Sequence, residues 1–246
     1  MKNTERMYRG SSKNCQKTFE DLKDGRERIE KICRELLKNE IIVALGCTEP
    51  GTIAYAAACA KEILGAIPNH MEIYVSGNIL KNVKSVVIPN TQNLKGIAEA
   101  AFCGIVGGNP KRKLEVLSTL TMADVEMVRK LVAEENMYDV HLSRVQEPLY
   151  VRVELIRGEH TSLVEIQKNH LNITKVQKDG KDITRQYQYR ECVGEVNGSE
   201  YKLKLKDIYN FAYETEIGDL ENLMKLQITH NGRIAEEGMK NDYGAK

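Results

Sequence analysis

The chain has 246 residues, and its 36 Lys and Arg against 35 Asp and Glu leave a net charge of +1. That length supports one large domain or two small ones, and near-neutrality argues against a nucleic-acid or acidic-membrane surface, which needs a basic excess on one face. No run approaches the roughly 20 apolar residues that span a bilayer, and Met1-Lys2-Asn3-Thr4-Glu5-Arg6 lacks the apolar segment of a signal peptide. A cytoplasmic protein with neither nucleic acid nor membrane as partner is expected.

Residues 1–18 are polar and aperiodic, and the first 25 read as a loose extension to an α/β portion over 26–246. From about Arg26, Ile29, Ile32, Cys33, Leu36 and Leu37 fall on one helical face. Ile41 to Ala44 lead into Gly46-Cys47-Thr48-Glu49-Pro50-Gly51, followed by the small residues of a second helix that Gly65 and Pro68 end near Leu64. Pro50 suits a first helical turn, so Thr48 or Glu49 is expected as cap and Cys47 in the turn before it. There the free N–H groups and helix dipole favour a thiolate, and Gly46 and Gly51 admit a ligand. The competing reading of Cys47 is a small buried hydrophobe.

Met71 to Val75 alternate as a strand and run into Ser76-Gly77-Asn78-Ile79-Leu80-Lys81-Asn82. Asn78, Lys81 and Asn82 have helix-like spacing at a strand end, where two amides and a cation can meet a carboxylate or amino group. From spacing alone a capped turn with a solvated lysine is the favoured reading. Ser85 to Ile88 reads as a short strand stopped by Pro89-Asn90-Thr91. Leu94, Ile97, Ala98, Ala101, Phe102 and Ile105 mark a helix closed by Gly107-Gly108. Gly107-Gly108 lacks the strand–turn–helix context of a phosphate loop. Thr121-x-x-Asp124 is a capping-box start for a helix to about Asn136.

Beyond Met137 the period becomes two. Val140–Val145, Tyr150–Ile156, Ser162–Gln167 and Ile173–Gln177 read as strands, with Asp179-Gly180 turning the last back to Asp182-Ile183. Residues 185–205 are expected to form a short hairpin turning at Asn197-Gly198. Asp219 then caps a helix with Leu220, Leu223, Met224 and Ile228 on one face. The fold class is therefore mixed α/β, helices packed on a mixed sheet with an antiparallel β-rich middle from about 140 to 205.

Cysteines 15, 33, 47, 59, 103 and 192 lie far apart and are expected as free thiols. Their spacing contains no self-contained zinc or iron–sulfur motif, and histidines 70, 141, 160, 170 and 230 form no His-Glu-x-x-His pattern.

Three blocks carry a resemblance: Ala44 to Pro50, Ser76 to Asn82, and Val87-Ile88-Pro89-Asn90-Thr91. In order and spacing they resemble the L-cysteine desulfidase family, related to the iron–sulfur-dependent L-serine dehydratases. Glu115-Val116-Leu117 and His170-Leu171-Asn172-Ile173 agree with it, so that it covers roughly 26–246. The resemblance implies β-elimination of L-cysteine to hydrogen sulfide, ammonia and pyruvate without pyridoxal phosphate. It further implies a catalytic Cys47, a substrate site at Thr48, Glu49, Asn78, Lys81 and Asn82, and a 4Fe–4S cluster. Departures from the family are Asn90, Gln92 and Asn93, where it usually has glycine, and the lack of the helical half that carries its cluster cysteines. The chain is thus expected to be an N-terminal portion of such a lyase, its metal ligands elsewhere and its partner a C-terminal-half subunit or a second copy. Serine-dehydratase-like activity, or a non-catalytic small-ligand or assembly module, are the alternatives.

Overall fold

The computed structural model describes residues 25–191 and 203–241, without the side chains of 188–191. Cys15, Cys192 and the expected turn at Asn197-Gly198 lie outside them. The chain forms two compact units, one of Met1–Ile42 with Val196–Lys246 and one of Val43–Glu195.

In the first unit, α1 (Gly25–Glu40) buries Ile32 and Cys33, as its apolar stripe predicts. Leu205 does not end a strand; it opens an amphipathic helix, α7 (Leu205–Glu214), which packs on α1. Asp219 does not cap the last helix, α8 (Glu221–Lys240), whose N-cap is Leu220. Its carboxylate is drawn instead to Arg34, 2.6 Å away, and to Lys38. Arg34 also donates to the carbonyls of Glu216 and Ile217 and to Glu30, so this one guanidinium ties α1 to the turn before α8.

The second unit is a six-stranded sheet under helices. Its strands are β1 (His70–Val75), β2 (Tyr138–Leu142), β3 (Tyr150–Arg157), β4 (His160–Gln167), β5 (Ile173–Lys178) and β6 (Lys181–Asp182), in the order β2-β1-β3-β4-β5-β6. Period-two alternation sends Met71, Ile73, Val75, Val151, Val153 and Leu155 to one face, all fully buried. The opposite face carries His70, Glu72, Tyr74, Arg152, Glu154 and Glu165. The expected antiparallel section holds from β3 to β6, closed by Asp179 and Gly180 with φ of 49° and 74°. β2 is the exception, pairing parallel to β1. That pairing is possible because three α-helices, α3 (Gly77–Val83), α4 (Ile97–Gly107) and α5 (Met122–Ala133), and a 3-10 helix (Pro110–Glu115) intervene.

The central helix α2 (Thr48–Leu64) is buried from Pro50 to Ala60 and packs on α4, β3 and β4. Its alanines permit an approach so close that a Cβ on Gly104 of α4 would strike the Ala54 backbone. α5 starts on the expected capping box: the Thr121 side chain accepts from the Asp124 amide, and the Asp124 carboxylate accepts from the Thr121 amide. Ser85–Ile88 is not a strand. The Ile88 amide bonds the Leu94 carbonyl, closing a loop on itself rather than offering an edge. Leu94 accordingly lies ahead of α4. The last helix of the unit, α6 (Thr184–Glu191), occupies the start of the segment expected as a hairpin.

Candidate active site

Sequence-local rules bring the first residues of the site together. Gly46 has φ +77°, and a Cβ there would come to 3.0 Å of the Pro89 ring, so the turn before α2 needs glycine and lies against the Pro89-Asn90-Thr91 loop. The N-cap of α2 is Cys47 itself, with extended backbone at φ −65° and ψ 132°. Thr48 and Glu49 are therefore the first two helical residues and Pro50 the third, one position later than a Thr48 cap implies and two later than a Glu49 cap implies. Gly51 faces Leu114 at ordinary contact distance and is buried, so it does not admit a ligand.

Being at N2 turns the Glu49 carboxylate back over the cap. The Cys47 thiol donates to Glu49 Oε2 at 2.9 Å, and the Thr48 hydroxyl lies 3.3 Å from the same oxygen. The other oxygen, Oε1, accepts from Asn82 Nδ2 at 2.9 Å. Asn82 is delivered by α3, which Ser76 caps by accepting from the Ile79 amide while its hydroxyl donates to the Pro148 carbonyl. Asn78 and Lys81 precede Asn82 by four and one residues on α3. Both are exposed, and among the described residues neither bonds to Cys47 or Glu49.

The electrostatics correct one expectation. The Cys47 thiol is pushed up rather than down: burial and the hydrogen bond to Glu49 outweigh the helix-start amides, which favour the thiolate. Glu49 opposes its own burial and is held below the usual carboxylate range by the bonds from Cys47 and Asn82. The resting pair is thus a neutral thiol against a carboxylate.

His170, in the β4–β5 turn, supplies a member that spacing could not place. One turn into α2 the buried Thr52 hydroxyl donates to the Thr48 carbonyl at 2.9 Å and meets His170 Nδ1 at 2.8 Å. A hydroxyl has one proton, so His170 Nδ1–H is the donor there and Nε2 keeps its lone pair. Burial lowers the His170 pKa, partly offset by the Glu49 charge, and keeps the ring neutral near pH 7. The only advance signal was the His170-Leu171-Asn172-Ile173 block; Thr52 had none.

The Asn90-Thr91-Gln92-Asn93 loop beside this turn holds Asn90, Gln92 and Asn93 at φ of 61°, 51° and 75°. These are the three positions where the resembled family usually has glycine, and the backbone here keeps the left-handed geometry without it. Thr91 locks the loop by donating to the Ile88 carbonyl and accepting from the Leu94 amide.

The described cysteines do not fit a 4Fe–4S cluster. Cys59 and Cys103 are fully buried in the α2 and α4 packing, and burial with Glu99 and Asp124 pushes the Cys103 thiol up to about 12. Cys33 belongs to the other unit. Cys47 is the one thiol at a surface-accessible turn, and one ligand does not hold a cluster.

No family model matches the chain. It is similar to UPF0597 proteins. That of Lachnoclostridium phytofermentans is 40% identical over 211 residues, covering 85% of this chain and 50% of the relative. That of Fusobacterium nucleatum is 38% identical over 221 residues, 88% of this chain and 50% of the relative. That of Finegoldia magna is 41% identical over 211 residues, with coverage of 85% and 50%. The chain spans about half the length of these curated relatives. No solved structure matches it. No helix among the described residues is long and apolar enough to cross a membrane.

Proposed function

We propose that the Val43–Glu195 unit carries the proton-transfer part of a β-eliminating lyase site for a small amino acid, with L-cysteine as the first candidate. The observation that supports this reading is the chain Cys47–Glu49–Asn82, with neutral His170 held one helical turn away.

In the elimination a base takes the Cα proton, the freed pair forms the Cα=Cβ bond, and the Cβ–S bond breaks with its electrons on sulfur. The sulfur takes a proton and leaves as hydrogen sulfide. The remaining aminoacrylate tautomerises to an imine, which one water hydrolyses to pyruvate and ammonia. Cys47, its proton released to water, is the base. The substrate favours that release: its ammonium group beside Glu49 offsets the negative charge that holds the thiol protonated. Asn82 fixes the carboxylate, and Asn78 and Lys81 bind the substrate carboxylate. Cys47 then hands the proton it has taken from Cα to the departing sulfur, and neutral His170 holds Thr52 at the start of α2. No step is routed through an iron–sulfur cluster.

The test has two readouts on the intact chain. L-Serine should protect Cys47 from alkylation, and L-cysteine should yield sulfide, pyruvate and ammonia in equal amounts. Cys47→Ser should cost at least roughly 100-fold in sulfide release, the scale of a lost acid–base group. No protection by either amino acid, or sulfide release undiminished in Cys47→Ser, overturns the reading.

A further inference from the structure

A second cluster of chemistry-bearing side chains lies on the opposite, open face of the sheet. Side chains two apart on a strand share a face, so His70 and Glu72 stand together on β1. The parallel register sets Asp139 beside Glu72 and His141 beside Tyr74. Four groups from two strands thus meet at the sheet margin through pairing alone.

Their orientations are fixed from behind. His70 Nδ1 lies 2.8 Å from the Asn136 carbonyl, which can only accept, so Nδ1 carries a proton and Nε2 is the nitrogen left for the cluster. His70 Nε2 is 3.0 Å from a Glu72 oxygen and 3.6 Å from Asp139 Oδ2. The second Glu72 oxygen is held by His141 Nε2 at 2.6 Å. His141 is in turn stacked on Tyr74, ring centroids 4.6 Å apart. In neutral His70 the Nε2 lone pair faces two carboxylates, three electron-rich atoms converging on one point. A cation belongs between them.

We propose that His70 Nε2, Glu72 and Asp139 bind a first-row divalent transition ion of the zinc class, with His141 positioning Glu72. The donor atoms all lie within 4.8 Å of one another. A tetrahedral ion with bonds of about 2.0–2.1 Å separates its ligands by about 3.4 Å, which the separations of 3.0 and 3.6 Å bracket. The backing of His70 by a carbonyl and of Glu72 by a histidine is the outer-shell support such ligands usually have. His70 and Glu72 side chains are 24% and 25% exposed and Asp139 62%, so the ion enters from the Asp139 side and keeps water in its remaining position. One imidazole with two carboxylates suits zinc, cobalt or manganese over a thiol-seeking ion. The ion would clip the edge strand β2 to β1.

Cobalt(II) titrated into the intact metal-free chain tests this. The expected result is one saturable equivalent with visible d–d absorption and no sulfur charge-transfer band, displaced by zinc. Zinc should also raise the melting temperature. Asp139→Asn alters an exposed side chain, and its metal-free melting curve should match the parent, yet it should weaken binding at least roughly tenfold, as should His70→Gln. Absence of saturable binding, a thiolate band, or parental affinity in both variants overturns the assignment and leaves a protonated His70 as the only cation there.

Discussion

Replacing Glu49 by Gln isolates what governs the Cys47 thiol. In the native site a full negative charge sits 2.9 Å from the sulfur, oxygen to sulfur, at a half-buried turn. Two unit charges about 4 Å apart interact by about 1 kcal/mol in water and about 4 kcal/mol at an effective dielectric of 20. At 1.36 kcal/mol per pKa unit that spans about one to three units, and solvent access places Cys47 toward the lower end. Glu49→Gln removes the charge while keeping shape and the neighbouring Asn82, so the Cys47 pKa should fall by about one unit. The rate of alkylation should respond less. Below the pKa the thiolate fraction rises about tenfold, but a less basic thiolate is a poorer nucleophile with a Brønsted slope of about 0.4–0.5, which leaves a gain of roughly threefold. The decisive measurement is therefore the midpoint of the pH–rate profile for iodoacetamide, with Cys47 modification quantified by peptide mass spectrometry. An unchanged midpoint would show that burial alone sets the thiol. A midpoint moved upward would refute the charge argument.

Further outcomes follow from packing, strain and titration. Gly104→Ala puts a methyl into the Ala54 backbone and should destabilise the Val43–Glu195 unit by about 1–3 kcal/mol or more in urea unfolding, whereas Gly77→Ala, at an ordinary φ, meets nothing within 4 Å. Gln92→Gly should be neutral or stabilising by up to about 1 kcal/mol, because relief of a left-handed residue offsets the glycine entropy; Gln92→Pro, whose ring cannot reach φ 51°, should unfold the loop. His170 has its folded pKa below 6.5, so the stability it contributes is complete above 6.5 and is lost as pH falls through the folded value. His170→Asn should flatten that acid limb in melting curves recorded across pH; a limb that persists unchanged places the titration elsewhere.

How much was legible differs between the two kinds of signal. Glu49 and Asn82 stood in short blocks whose residue types already suggested a polar site, and the structure joins them directly. Asn78 and Lys81, from the same block, share the helix but not the hydrogen bonds. The thiolate expected of Cys47 failed because a helix-start argument counts amides and omits burial and the carboxylate two residues on. His70 and Glu72 gave no warning, since their partners Asp139 and His141 arrive through a strand pairing almost 70 residues away.

The sequence by itself determined the elements whose cause lies within four or five residues. The Thr121–Asp124 capping box, the Asp179-Gly180 turn and the alternation in β3 and β4 are such cases, where backbone sterics and local hydrogen bonds suffice. Ser85–Ile88 shows the limit: four residues of strand character become a loop whose Ile88 amide bonds the Leu94 carbonyl instead of a neighbouring strand. Only the tertiary structure decided that β2 lies parallel on β1 and that His170 reaches Thr52 across 118 positions. It also decided that two polar clusters arise on opposite sides of one sheet. Each depends on which buried faces meet, and burial rewards the total apolar area removed from water rather than any one local pattern.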